Sequence, residues 1–184
     1  LSRVILSGAG GVFAAGADAG EFDTPPETPH LPDVLQQIET SPVPWIAALH
    51  GAVLGGGAEL ALACRYRLAR ADASIGFPEV ILGVVPGAGG TQTLSRAIGE
   101  RRAKEMILSG RVFTAQQALD WGLANGICSP ETLLETALAA AQEIANNAPI
   151  AVRQAKQAIH HGLQMGLASG LAFEIEAYNR TVPT

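Results

Sequence analysis

Charge is scarce in this 184-residue chain: 16% of its residues are Asp, Glu, Lys or Arg, the net charge is −5, and no basic run occurs. Binding nucleic acid requires clustered Lys and Arg to neutralise phosphates, so no nucleic-acid partner is expected. Cysteine is scarcer still. Cys64 and Cys128 lie far apart without metal-ligand spacing, which gives no basis for a metal site and points to a reduced, cytoplasmic compartment. No apolar run reaches the ~20 residues needed to cross a bilayer, so no membrane partner is expected either. The chain also has no Gly-Lys-Ser/Thr after any of its glycine-rich stretches, and that excludes a P-loop.

What the chain does have is apolar content, 48%, and 21 glycines gathered mostly in short runs. The first is enough for one well-buried core at this length and argues against disorder. The second marks places where backbone turns sharply or comes close to something. Leu1-Ser2-Arg3 runs straight into Val4-Ile5-Leu6 with no initiator Met, and the last residues carry no capping feature. The expectation is a segment of a longer chain.

Hydrophobic runs and turn residues predict strands at Val4–Ser7, Trp45–Leu49, Tyr66–Ala69 and Ser74–Gly76. Pro25, Pro26, Pro29 and Pro32 mark a loop. Helices are predicted over Val34–Thr40, over Ala58–Cys64, and from near Thr91 to a stop at Gly99. Thr114 with Gln117 forms a capping-box pattern for a helix that Gly122 ends. Ser129-Pro130 reads as N-cap and first helical residue, and the remainder is predicted helical with breaks near Pro149, Gly162 and Gly170. The fold class is therefore α/β with a helical C-terminal portion, and no linker divides it.

Three segments carry chemistry. Gly55-Gly56-Gly57 opens a helix, where first-turn amides lack internal partners and the macrodipole places positive charge. Such a site suits an anion or a developing oxyanion, and Glu59 lies one turn in. The small residues of Phe13-Ala14-Ala15-Gly16-Ala17-Asp18 could supply a second unobstructed donor. Glu79, between Pro78 and the run Val80-Ile81-Leu82, is a carboxylate whose desolvation favours acid–base work. Taken singly, each has a plainer reading: a tight turn, an ordinary first-turn glutamate, a solvated loop carboxylate. His50 reads as a packed histidine beside a turn, His160-His161 as a solvated helix face, and Cys64 as a small buried apolar residue. Trp45 and Trp121 read as core or interface residues.

VILSGAGGVFAAGAD, ALHGAVLGGGAELALAC, GFPEVILGVVPGAGGTQ and SGRVFTAQQALDWGLAN, in this order, resemble the crotonase (enoyl-CoA hydratase/isomerase) superfamily over nearly the whole chain. The resemblance implies a crotonase-like spiral of ββα units, residues 1–128, lacking its N-terminal strands. A truncated helical C-terminal trimerisation region, residues 129–184, would follow. It implies that the amides of Ala17 and Gly56 form an oxyanion hole, that Glu59 and Glu79 are catalytic, and that Ala15, Asp18, Gly55 and Pro78 contact substrate. The implied reaction is enoyl-CoA hydration, with double-bond isomerisation as the nearest rival and a non-catalytic acyl-CoA-binding subunit as the rival from another class. No metal and no cofactor is implied, since CoA arrives with the substrate. The implied assembly is a homotrimer or hexamer. Arg65 departs from the resemblance, standing where family members commonly have Asp.

Overall fold

The computed structural model describes residues 4–16 and 28–182. In chain order the elements are β1 (Val4–Ser7), α1 (Leu31–Thr40), β2 (Trp45–Leu49), β3 (Ala52–Leu54), α2 (Gly56–Ala63), β4 (Tyr66–Arg70) and β5 (Ser74–Gly76). A 3-10 helix (Pro78–Leu82) leads to α3 (Gly90–Ile98), α4 (Glu100–Ser109), β6 (Val112–Thr114), α5 (Ala115–Asp120) and β7 (Gly126–Cys128). The chain closes with α6 (Leu133–Ala145), α7 (Pro149–Gly162) and α8 (Leu167–Asn179).

Two sheets organise the described residues. One is wholly parallel with strand order β1-β2-β4-β7; the other has order β3-β5-β6, with β3 and β5 parallel and β6 antiparallel to β5. Two residues separate β2 from β3, yet these strands belong to different sheets. The chain turns that corner at His50-Gly51, where the Phe13 amide donates to His50 O at 2.8 Å and the Ser74 amide to Gly51 O at 2.8 Å. Beta strands thus come in pairs that step from one sheet to the other before a helix returns the chain, the winding that the family resemblance implies. Short apolar strands are stable here because both faces of the parallel sheet are covered.

β2 shows the layering within one strand. Ile46 and Ala48 pack with Leu68, Leu133, Ala137 and Ala141, placing α6 on one face of the sheet. Ala47 and Leu49 face the larger cluster on the other side, with Phe77, Ile75, Leu94 and Met106 at its fully buried centre. Each side chain of that size contributes about 1.5–3 kcal/mol by leaving water.

Several boundaries differ from the sequence expectation. Pro32 lies inside α1 rather than in the preceding loop, because the first helical turn has no use for the amide that proline lacks. Ser129-Pro130 does not start the next helix: Ser129 closes a turn by accepting at its carbonyl from the Thr132 and Leu133 amides, and α6 begins at Leu133. Gly170 does not break α8. A Cβ there would lie 3.5 Å from Gly162 Cα, an ordinary contact, so the residue sits within α8 where it packs beside the end of α7. The strands β3, β6 and β7, each of three residues, and the helix α4 were not anticipated. The Thr114–Gln117 capping box is present, with the Gln117 amide donating to Thr114 Oγ1 at 3.2 Å and the Thr114 amide to Gln117 Oε1 at 3.0 Å.

Candidate active site

The three glycines that open α2 serve different ends. Gly55 has φ +53°, a conformation that disfavours any side chain, and its amide donates to Gly76 O at 3.0 Å. A Cβ on Gly57 would lie 2.2 Å from Ala14 O, so the helix start is pressed against the segment leading to Gly16. Between them, Gly56 is the first residue of α2, and its N–H therefore has no acceptor within the helix. Gly16 lies beside that amide: a Cβ on Gly16 would stand 3.9 Å from Gly56 N. Leu31, at the start of α1, covers the same spot, its Cδ2 2.9 Å from where a Gly56 Cβ would be.

Glu59 sits in the first turn of α2 and is buried, 4% exposed. Its Oε1 accepts from the amides of Ala88 at 2.9 Å and Gly90 at 2.8 Å. Gly90 is the first residue of α3, so Glu59 meets the positive end of its own helix and of a second one. Two fixed donors orient the carboxylate through this one oxygen.

Glu79 follows Pro78 in the 3-10 helix, which places its carboxyl against Gly55; a Cβ on Gly55 would meet Glu79 Oε1 at 3.0 Å. Although the residue as a whole is only half-buried, its Oε2 is enclosed and makes no hydrogen bond among the described residues. Burial is the main cause that raises the Glu79 pKa, and the nearby charge of Glu59 adds to it, while the residue's own amide opposes. The two carboxylates therefore share one electrostatic environment at the start of α2. One is held by two amides and the other is pushed toward its protonated form, a division that general acid–base chemistry uses.

Of the residues that the sequence singled out, Gly55, Gly56, Glu59, Pro78 and Glu79 gather at the start of α2, and Ala15 lies exposed on the segment beside it. Ala17 and Asp18 lie outside the described residues. The positioning of Glu59 by Ala88 and Gly90 was missed. Gly87-Ala88-Gly89-Gly90 carries the signal for it: the argument applied to Gly55–Gly57, glycines opening a helix whose amides need partners, fits this stretch equally well.

His50 and Cys64 behave as packed residues. His50 is buried, with Nδ1 3.4 Å from Ala48 O. Cys64 is fully buried, and burial pushes its thiol up to about 11, with Arg67 and Arg65 opposing weakly. Trp121 packs on Phe113 with ring centroids 4.8 Å apart. His160 is a correction: it is not on a solvated face but half-buried and bonded to Arg65. Among the described residues no group of three or more His, Cys, Asp or Glu could hold a metal ion, and no helix is long and apolar enough to cross a membrane.

A family model described as enoyl-CoA hydratase/isomerase matches residues 1–184. The short-chain-enoyl-CoA hydratase of Clostridium acetobutylicum is 42% identical over 188 residues, covering 98% of this chain and 72% of that protein. An enoyl-CoA isomerase/hydratase of Mycosarcoma maydis is 45% identical over 186 residues, covering 97% of this chain and 68% of the relative. Among solved structures, the enoyl-CoA hydratase from Bacillus anthracis superposes with a TM-score of 0.94 at 44% identity, over 100% of this chain and 74% of that one.

Proposed function

The chain belongs to the enoyl-CoA hydratase/isomerase family and carries enoyl-CoA hydratase function at the level of that family; within it we propose that Glu59 and Glu79 add water across a trans-2-enoyl-CoA thioester. The thioester oxygen rests on the Gly56 amide, at the positive end of α2, and on the amide of Ala17, whose neighbour Gly16 lies against Gly56. As charge moves onto that oxygen, the two donors stabilise the enolate; losing one such donor typically costs about 3 kcal/mol of transition-state stabilisation. Glu59 and Glu79 hold the water between them. Glu59 takes its proton as oxygen attacks C3, and Glu79, biased toward its protonated form, supplies the proton that reaches C2. Pro78 sets Glu79 at the start of its 3-10 helix and Gly55 gives its carboxyl room; Ala15 and Asp18 enter the proposal as substrate contacts. No cofactor beyond the CoA of the substrate takes part in this scheme.

The observation that carries the reading is the shared position of the two carboxylates beside an unpartnered helix-start amide, with one carboxylate fixed by Ala88 and Gly90. A second reading, migration of the double bond, is favoured by the likeness to the Mycosarcoma maydis enzyme and needs the same oxyanion donors. Assembly into a trimer or dimer of trimers belongs to the proposal, as does a cytoplasmic location. So does the division into a spiral core, residues 1–128, and a helical region, residues 129–184. Support for assembly comes from the exposed Leu163, Leu167, Leu171 and Ile175 of the last helices.

Purified protein supplied with crotonyl-CoA tests the reaction. The expected product is 3-hydroxybutyryl-CoA. A matched 3-enoyl-CoA that is isomerised while crotonyl-CoA stays unhydrated would replace hydration by isomerisation, and tight binding of both without turnover would refute catalysis.

A further inference from the structure

Phe77 stands two residues before Glu79 and is one of the largest side chains that the fold encloses completely. Its ring bears on the residue that holds the other carboxylate. A Cβ on Gly90 would lie 2.6 Å from Phe77 Cε1, 3.0 Å from Glu59 Oε1 and 3.0 Å from Pro86 Cβ. The ring edge and the Glu59 carboxylate therefore press on the same face of Gly90, whose amide donates to Glu59 Oε1 at 2.8 Å. Phe77 also lines a small void together with Ala58, Ala61 and Leu62, so it borders α2, in which Glu59 follows Ala58.

The same residue leads into the second carboxylate. Gly76 O accepts from the Gly55 amide at 3.0 Å, and after Phe77 and Pro78 the Glu79 carboxyl comes back against Gly55. Residues 76–79 thus touch the start of α2 at both ends, while the side chain between those ends reaches Gly90. Pro78 narrows the backbone choices of Phe77, so the ring and the chain that bears Glu79 do not turn independently. A close-packed interior is nearly incompressible and passes a displacement on to its neighbours. Moving this ring would shift the Gly90 amide on one side and the Glu79 segment on the other.

We propose that Phe77 is a positioning residue for hydration, a rigid spacer that sets Glu59 and Glu79 at the separation from which both reach one water. The inference rests on the two-carboxylate reading above and adds to it the part that fixes their spacing. Phe77 touches no substrate in this scheme; it acts through Gly90 on Glu59 and through Pro78 on Glu79. A leucine at this position stops short of Cε1, and the start of α3 then settles into the vacated space and draws the Gly90 amide with it. A misplacement of about 1 Å at reacting groups costs about 10²-fold in rate. The Gly56 amide, which receives the thioester oxygen, is not held by this ring, so the loss falls on kcat rather than on KM.

Phe77→Leu, Phe77→Met and a control, Ile46→Ala, test this in the intact chain. Ile46 is enclosed on the other face of β2, against α6, and its truncation should lower Tm at least as much as Phe77→Leu does. Phe77→Leu is expected to lose about 10²-fold in kcat for crotonyl-CoA with KM near that of the parent, whereas Ile46→Ala keeps its kcat. Phe77→Met, whose longer flexible chain reaches Gly90 again, should recover part of the loss. The amide proton of Gly90, followed by NMR in glycine-labelled protein, gives a readout that needs no turnover. It should move upfield in Phe77→Leu as the bond to Glu59 lengthens, and stay in place in Ile46→Ala. An undiminished kcat in Phe77→Leu, a loss confined to KM, an equal loss in Ile46→Ala, a Met variant no better than Leu, or an unmoved Gly90 resonance would overturn the proposal. A parent that leaves crotonyl-CoA unhydrated would instead remove the hydration reading, and the Gly90 resonance would still decide whether Phe77 positions Glu59.

Discussion

Glu59 separates chemistry from folding when it is replaced in two different ways. The carboxylate is buried, and its Oε1 is the acceptor for the Ala88 and Gly90 amides at 2.9 and 2.8 Å. Glu59→Ala strips both donors of their partner and leaves them enclosed. Hydrogen bonds to a carboxylate contribute about 1.5–3 kcal/mol each, so the variant should lose about 3–6 kcal/mol. For a chain of this length that is a fall in Tm of about 6–24 °C, read by a circular-dichroism melt. Glu59→Gln keeps an amide oxygen in the same position, and the donors hold it there, so its melt should stay near that of the parent. It cannot take a proton, however, and its kcat/KM for crotonyl-CoA hydration should fall by about 10²–10⁴. An Ala variant melting within about 2 °C of the parent, or a Gln variant of undiminished activity, would refute the reasoning.

Glu79→Gln should abolish most hydration without loss of thermal stability, because the enclosed Oε2 makes no hydrogen bond to forfeit; a fall in Tm would contradict this. In the parent, a raised Glu79 pKa means that the folded state favours the protonated carboxyl, so stability falls as pH rises from the ordinary carboxylate value through the raised one. That slope should flatten in Glu79→Gln when denaturant midpoints are compared across this range. Gly57→Ala should destabilise by about 1–3 kcal/mol in denaturant titration, since the new Cβ meets Ala14 O at 2.2 Å. The helix-propensity gain of about 1 kcal/mol would on its own predict the opposite sign. Cys64, with its thiol pushed up to about 11, should resist alkylation in the native protein at neutral pH and react on unfolding, as mass spectrometry would show.

Much of the architecture was legible in local pattern. Val4–Ser7, Trp45–Leu49 and Ser74–Gly76 have the predicted bounds because their apolar runs are bounded by glycine, proline or histidine-glycine turns. The capping box at Thr114 is a local bond between residues three apart, which needs nothing from the rest of the fold. β3, β6 and β7 escaped because partners in β5 and β4, distant in sequence, make them strands, and no local pattern shows those partners. Ser129-Pro130 failed for the complementary reason: the signal is correct for a turn, and only packing of Leu133 on the sheet decides where helix takes over.

The same line divides the site. Residue order and type determined by themselves that a glycine-opened helix would carry Glu59 and that Glu79 would sit among apolar neighbours, since these follow from what stands next to each residue. Only the tertiary structure decided that Ala88 and Gly90 hold Glu59, that Glu79 lies against Gly55, and that Arg65 reaches His160. Those contacts join segments tens of residues apart. Their geometry depends on how sheets and helices pack, and no local propensity encodes it.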